Sequence, residues 1–74
     1  MIPYGNGKGN NGAIGYDLGV DFIIVYFETG TYKYPESMNE KWVIDQMKEL
    51  AIAKEGLTTF INQHKPDYIL IEKK

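Results

Sequence analysis

Cysteine is absent from this sequence of 74 residues, and histidine occurs once, at His64. The chain can therefore form neither a disulfide nor a thiolate metal site. A domain near this length buries only about 60% of the surface that its unfolded chain exposes. We therefore expect one small domain that is stabilised by side-chain packing, with self-association as a further source of stability.

Arginine is also absent, so lysine supplies all eight basic side chains, against ten carboxylates and a formal net charge of −2. Arginine is the usual bidentate ligand of phosphate and the commonest reader of guanine edges. The acidic balance and the lack of arginine together disfavour nucleic acid as the partner of this chain.

Long apolar runs are missing as well. The longest, Phe22 to Phe27, has six residues, whereas a helix that spans a bilayer needs about 20. The first residues show neither the charged start nor the apolar stretch of a secretory signal. We expect no membrane association and a cytoplasmic location.

Glycine and asparagine are concentrated at the start of the chain. Residues 1–12 hold four glycines and three asparagines, with few apolar side chains. Such a segment loses much backbone entropy on ordering and has little apolar surface to offset that loss. The composition predicts a flexible tail over residues 1–12 and a single domain over residues 13–74.

Three segments after the tail predict a β-meander. Alternating residues 13–16 end at a turn over 17–19, and residues 20–28 form the strongest strand pattern, rich in β-branched and aromatic side chains. Thr29-Gly30 separates this strand from the short strand 31–34, which stops at Pro35.

The rest of the chain predicts helices and a last strand. Ser37–Glu40 fits a capping box at the start of a helix, and Gly56 fits a left-handed C-terminal cap. The apolar face of that helix comprises Trp42, Val43, Met47, Leu50 and Ala51. Residues 58–64 are compatible with a short second helix, which the pattern does not decide, and residues 68–71 suit a C-terminal strand. The predicted fold class is α+β: an antiparallel three-stranded meander, a main helix, the undecided second helix and a final strand.

The register of the hairpin decides which side chains share a face. A two-residue loop at Thr29-Gly30 places Phe27 opposite Tyr32. One face then holds Ile23, Val25, Phe27, Tyr32 and Tyr34, which we expect the helix to cover. The opposite face holds Phe22, Ile24, Tyr26 and Lys33, the candidate interaction face. A three-residue loop with Gly30 in a bulge, which would exchange the pairing, stays open.

One helix cannot cover both faces of a sheet. Either the second helix, with Phe60 and Ile61, covers the candidate interaction face, or that face meets another molecule.

Three features that suggest other chemistry have simpler explanations. Residues 5–9 resemble a phosphate-binding loop, but Ile2 and Gly9 stand where a Walker A motif needs glycine and Ser or Thr. His64 has no second histidine and no cysteine to complete a metal site. Asp45 and Glu49 share a helix face with lysines nearby, which is typical of a solvated surface. We therefore predict no catalytic, cofactor-binding or metal-binding residues.

The order of several short motifs resembles the KTSC domain, a small bacterial and phage module that also occurs at the C-terminus of some lysyl-tRNA synthetases. The residues that carry the resemblance are Ile14-Gly15-Tyr16-Asp17, Ile23, Val25, Phe27, Gly30, Tyr32-Lys33-Tyr34-Pro35 and Ala53-Lys54-Glu55-Gly56. The resemblance covers about residues 13–64 and implies the same α+β fold. It implies little about function, beyond the nucleic-acid association that a synthetase context suggests.

These observations favour a non-catalytic module that binds a protein partner or a second copy of itself, rather than an enzyme. The alternative is a weak single-stranded RNA-binding module that uses Tyr32 and Tyr34 to stack bases. Its acidic charge should make such binding sensitive to moderate salt.

Overall fold

The computed structural model of the chain describes residues 1–4 and 12–73. The strands are β1 (Ile2–Pro3), β2 (Ala13–Leu18), β3 (Phe22–Phe27), β4 (Gly30–Pro35) and β5 (Ile69–Lys73), and the helices are α1 (Lys41–Ala53) and α2 (Leu57–His64). Neighbouring strands pair antiparallel in one sheet of order β1-β2-β3-β4-β5. The predicted α+β class and the final strand are confirmed, and α2 is the second helix that the sequence left undecided. The sheet has one more strand than predicted.

The extra strand is β1, which falls in the predicted tail. Ile2 pairs with Tyr16 and Pro3 with Gly15, and the backbone amide of Leu57 donates to the Tyr4 hydroxyl at 3.0 Å. The prediction of a flexible tail is therefore wrong for residues 1–4, because contacts with distant residues outweigh the glycine-rich composition of their neighbourhood. Residues 5–11 of the predicted tail lie outside the described residues.

The β3–β4 loop is Glu28-Thr29 rather than the predicted Thr29-Gly30. Phe27 consequently faces Gly30, and Val25 faces Tyr32. A Cβ added at Gly30 would lie 2.6 Å from the backbone oxygen of Glu72, so this glycine permits the close approach of β5 instead of forming the turn. The register is shifted by two residues, and because side chains alternate with a period of two, every predicted face assignment is kept.

The start of α1 also differs from the prediction. The helix begins at Lys41 after Glu40, with no side-chain cap. Asn39 instead donates to the carbonyl oxygens of Pro35 at 3.0 Å and Asp67 at 2.9 Å, and it accepts from the Asp67 amide. The capping-box prediction at Ser37 is therefore wrong, because this segment ties the end of β4 to the approach to β5.

α1 also ends two residues earlier than predicted. Lys54 is the C-terminal cap and adopts the left-handed conformation with a φ of 59°. Gly56 does adopt the left-handed conformation expected of it, with a φ of 80°, but as the residue that precedes α2. The two helices are therefore joined by a tight connection.

Both helices pack on the same face of the sheet. The buried apolar residues form one cluster: Ala13, Tyr16, Ile23, Val25, Tyr34, Ile44, Met47, Ala51 and Leu57. Leu57 places α2 in this cluster beside α1, with Phe60 and Ile61 packed against it. The expectation that α2 could cover the other face is therefore wrong, and the molecule has two layers, one of helices and one of strands.

Candidate interaction face of the sheet

The face of the sheet turned away from the helices carries the candidate interaction residues. Phe22, Ile24 and Tyr26 alternate with the buried Ile23 and Val25 along β3, the central strand. All three are half-buried, as is Lys33, which pairs with Ile24 from β4. We call the surface formed by Phe22, Ile24, Tyr26 and Lys33 the outer face. The structure therefore brings together the four residues that the strand alternation predicted.

Ile24 lies between two side chains of opposite charge. Its partner on β2 is Asp17 and its partner on β4 is Lys33. The Lys33 amine lies 4.6 Å from the centroid of the Phe22 ring, within the range of a cation–π contact. The outer face is thus an apolar row with a carboxylate on one side and an amine on the other.

Asp17 and Tyr26 form a hydrogen-bonded pair on this side of the sheet. The Tyr26 hydroxyl donates a hydrogen bond to Oδ2 of Asp17. This bond, and secondarily the nearby amino group of Met1, holds the pKa of Asp17 below its ordinary value, although partial burial opposes the shift. The same bond raises the pKa of Tyr26. Near neutral pH the tyrosine therefore remains a donor and the aspartate a charged acceptor, which fixes both side chains.

The Phe22 ring is held against the backbone of the β2–β3 turn. A Cβ added at Gly19 would lie 2.2 Å from atoms of this ring. The same turn is tied to α1, because the Lys48 amine donates to the carbonyl oxygens of Gly19 at 2.7 Å and Val20 at 3.1 Å. Hydrogen bonds from α1 therefore hold the turn that contacts Phe22 at this end of the outer face.

Two residues that border the outer face were not predicted from the sequence. Asp17 was assigned to a turn, whereas it lies within β2 beside Ile24. Its position between Tyr16 and Leu18 continues the alternation of apolar and polar residues, which is the signal that could have placed it. Ile69 of β5 pairs with Lys33 and is 48% exposed. Its contribution depends on the pairing of β4 with β5, which no local pattern specifies.

The two tyrosines proposed as base-stacking residues lie on the helix-covered face, as the register predicted. Tyr34 is buried. Tyr32 is half-buried and makes edge-on contacts with Phe27 at 5.6 Å and Tyr68 at 4.8 Å between ring centroids. These rings therefore pack mainly against one another and against the core.

The residues weighed for other chemistry are separate from the outer face. His64 is exposed and stacks on Phe60, with 4.2 Å between ring centroids. Lys41 and Asp45 form an exposed ion pair at 2.9 Å, as expected for a solvated helix face. Residues 5–9, the glycine-rich segment, lie outside the described residues. Within residues 1–4 and 12–73, no group of three or more metal-ligating side chains is close enough to hold an ion.

A groove of about 430 Å³ lies where the end of α2 approaches β4 and the segment before β5. It is lined by Tyr34, Met38, Ile61, Asn62, Lys65, Pro66, Asp67 and Tyr68. Its lining is mixed apolar and polar, and its charged members are Lys65 and Asp67. The groove opens on the helix side of the sheet and is distinct from the outer face.

In the part of the chain that the structure describes, no helix is long and apolar enough to cross a membrane. Comparison with protein-family models, curated proteins and solved structures finds no match for this chain. The resemblance to the KTSC domain therefore stays a prediction.

Proposed function

We propose that this chain is a non-catalytic binding module that engages a protein surface, either a partner or a second copy, through its outer face. The observation that carries the proposal is the placement of both helices on one side of the sheet, which leaves Phe22, Ile24 and Tyr26 half-exposed on the other. A cytoplasmic setting and the KTSC resemblance, with its bacterial or phage context, belong to the same proposal.

The composition of the outer face suits recognition of a protein. Complete burial of an exposed apolar side chain contributes roughly 1.5–3 kcal/mol, and these side chains are already half-buried, so each would add less. Association also has to offset lost motion of both partners. The face therefore supports modest affinity, and Asp17 and Lys33, on either side of Ile24, would select the orientation of the partner.

Sedimentation velocity over a range of concentrations tests the proposal, with Ile24→Asp compared with the parent chain. The new carboxylate would be desolvated in any complex formed through this face, so we expect association to weaken at least about tenfold. Ile52→Asp is the matched control, because Ile52 is 60% exposed on α1, in the helix layer. It should leave association unchanged.

Circular dichroism on both variants separates an effect on association from an effect on folding. One outcome is a parent chain that stays monomeric at high concentration, together with an Ile24→Asp variant that is unfolded. The outer face would then belong to the core, and the proposed function would be wrong.

Single-stranded RNA binding remains the weaker proposal, because Tyr34 is buried on the helix side and no observation among the described residues favours base stacking by Tyr32 and Tyr34. Tight binding of a single-stranded oligonucleotide that persists at moderate salt would favour it over protein binding.

A further inference from the structure

The strand pairs around Ile24 place a charged residue on each side of it. Asp17 of β2 and Lys33 of β4 are both direct partners of Ile24, so the three residues form one row across the sheet. Asp17 points to the outer face, because its carboxylate accepts from the Tyr26 hydroxyl. Lys33 points the same way, because its amine lies over the Phe22 ring. The carboxylate and the amine therefore lie on opposite sides of β3, each about one strand spacing of 4.8 Å away.

The pairing through this row is regular. The β2–β3 pairs run without a shift from Gly15 to Leu18, and the β3–β4 pairs run without one from Gly30 to Pro35. The order of carboxylate, isoleucine and amine across the outer face is therefore set directly by the register of the three inner strands.

Both charged groups keep capacity for contacts with another molecule. A carboxylate can accept about four hydrogen bonds, and the Asp17 carboxylate accepts from Tyr26 and lies 3.3 Å from the Met1 amine. The Asp17 side chain is still 35% exposed. Among the described residues, Lys33 forms no ion pair. Each group can therefore take an oppositely charged partner from outside the chain.

A second copy offers the complementary pattern in one orientation. A two-fold axis that brings the outer faces of two copies together lies in the plane between them. Rotation about an axis along β3 exchanges the two sides of that strand, so Asp17 of each copy meets Lys33 of the other. Ile24 then packs on its own counterpart at the axis. This arrangement gives two symmetric pairs of opposite charge around an apolar centre.

The other simple two-fold axes in this plane lack the match. An axis through Ile24 but perpendicular to β3 places Asp17 opposite Asp17 and Lys33 opposite Lys33. An axis along β2 opposes the two Asp17 residues, and an axis along β4 opposes the two Lys33 residues. An axis between β3 and β4 buries each Lys33 amine against Ile24, which desolvates a charge without pairing it. The charges of the row therefore select the axis along β3.

The geometry of packed sheets is compatible with these pairs. Sheets that pack face to face lie about 10 Å apart, with strands about 30° from parallel. Because the charged residues lie only one strand from the axis, this angle offsets Asp17 from Lys33 of the other copy by only about 2.5 Å along the strands. The long, flexible lysine side chain can span this offset.

The size of the face sets the expected strength of the contact. β2, β3 and β4 have six residues each in a five-stranded sheet, so the face measures roughly 24 Å by 20 Å. Since β3 is the central strand, an axis along it gives the largest overlap of two such faces. Together they would bury on the order of 1,000 Å², near the lower end for specific interfaces. We therefore expect a weak dimer whose population depends on concentration.

We propose that two copies of this chain pack outer face to outer face around a two-fold axis along β3, with Asp17 of each copy paired to Lys33 of the other. This inference rests on the proposed function, because it uses the same outer face, and it names a second copy as the occupant. Both copies use one surface, so the contact closes as a dimer. The two helix layers then lie on the outside of the assembly.

A mixture of two charge variants tests the pairing. Asp17→Lys has amines at both ends of the row, and Lys33→Glu has carboxylates at both. Each variant alone opposes like charges, so we expect its self-association in sedimentation velocity to be at least about fivefold weaker than that of the parent. An equimolar mixture restores attractive pairs on both sides of the axis and should recover the association of the parent. A mixture that associates no better than the separate variants would overturn the pairing.

Lys41→Glu is the matched control, because it makes the same change of charge at an exposed position of α1, in the helix layer. It should associate as the parent does. Circular dichroism shows whether each variant is folded. If Asp17→Lys unfolds for want of the bond from Tyr26, Asp17→Asn keeps an acceptor and removes only the charge. Asp17→Asn and Lys33→Gln should each weaken association about twofold or more, and parent-like affinity in both would overturn the proposal.

The outcomes separate this inference from the proposed function. If Ile24→Asp weakens association but the mixture of charge variants does not recover it, the outer face binds and the two-fold arrangement is wrong. A parent that is monomeric at every concentration overturns the second copy as occupant, and the proposed function then stands only if Ile24→Asp remains folded. If neither Ile24→Asp nor the charge variants change an association that the parent shows, both proposals are wrong.

Discussion

Tyr34 is a buried ionisable side chain whose pKa is shifted by its surroundings. It pairs with Ile23 on the central strand, is 3% exposed and lies 5.9 Å from Tyr68 between ring centroids. Burial raises the pKa of Tyr34 well above its ordinary value of 10.0, and the neighbouring Tyr32 and Tyr68 add to the shift. The phenol is therefore held neutral in the folded chain to a higher pH than in the unfolded chain.

This shift predicts a loss of stability in alkali. Above pH of about 10 the unfolded chain releases the Tyr34 proton while the folded chain keeps it, so unfolding becomes more favourable as the pH rises. We expect Tyr34→Phe to reduce the slope of unfolding free energy against pH by up to about 1.4 kcal/mol per pH unit. Urea unfolding between pH 9 and about 11.5 measures the slope. Equal slopes in the parent and the variant would show that Tyr34 ionises freely in the folded state.

In α1, two apolar residues of the first turn have opposite environments. Ile44 is completely buried against the sheet, whereas Trp42 is 52% exposed. Trp42 leans over α2, with its ring edge-on to Phe60 at 6.5 Å and to His64 at 5.9 Å. The apolar face predicted from the sequence includes Trp42 but not Ile44. The contact between the two helices accounts for the difference, because it gives the large indole a place outside the main core.

The pair Ile44→Ala and Trp42→Ala tests this assignment of the helix. Removing the buried Ile44 side chain should destabilise the fold by about 2–5 kcal/mol. Trp42→Ala removes a larger but half-exposed side chain, and we expect a loss of about 1 kcal/mol or less. Both values come from urea unfolding at neutral pH. A larger loss for Trp42→Ala than for Ile44→Ala would mean that α1 turns its Trp42 side, rather than its Ile44 side, toward the sheet.

At the scale of the whole molecule, hydrogen bonds connect the first residues of the chain to the segment around the start of α2. The Pro3 carbonyl accepts from the Lys54 amine, and the Tyr4 hydroxyl accepts from the Leu57 amide. That amide is one of the donors that a helix start leaves without a partner inside the helix. Residues 1–4 therefore connect the sheet to the helix layer across the edge of the core.

Removal of residues 1–4 should consequently lower the stability of the domain rather than leave it unchanged. Tyr4→Phe removes only the hydroxyl, and we expect it to cost about 0.5–1.5 kcal/mol. The truncation also removes the β1 pairing and the Tyr4 ring from the core, so its cost should be clearly larger. Urea unfolding measures both. An unchanged midpoint in the truncated chain would show that residues 1–4 add no stability to the fold.

Local pattern determined much of this fold and most of its candidate site. The strand alternation placed Phe22, Ile24, Tyr26 and Lys33 on one face, and this assignment survived an error of two residues in the register because side chains alternate with that period. The exclusion of disulfides and thiolate metal sites likewise follows from the sequence alone, because it contains no cysteine.

Only the tertiary structure decided which surfaces stay open. It paired β1 with β2, used Gly30 for the approach of β5 rather than for a turn, and placed α2 beside α1. Each of these features depends on residues far apart in the chain, such as Tyr4 and Leu57, which are separated by 53 positions. A local pattern carries no information on such contacts, because their energy comes from packing and hydrogen bonding between segments that meet only when the chain has folded.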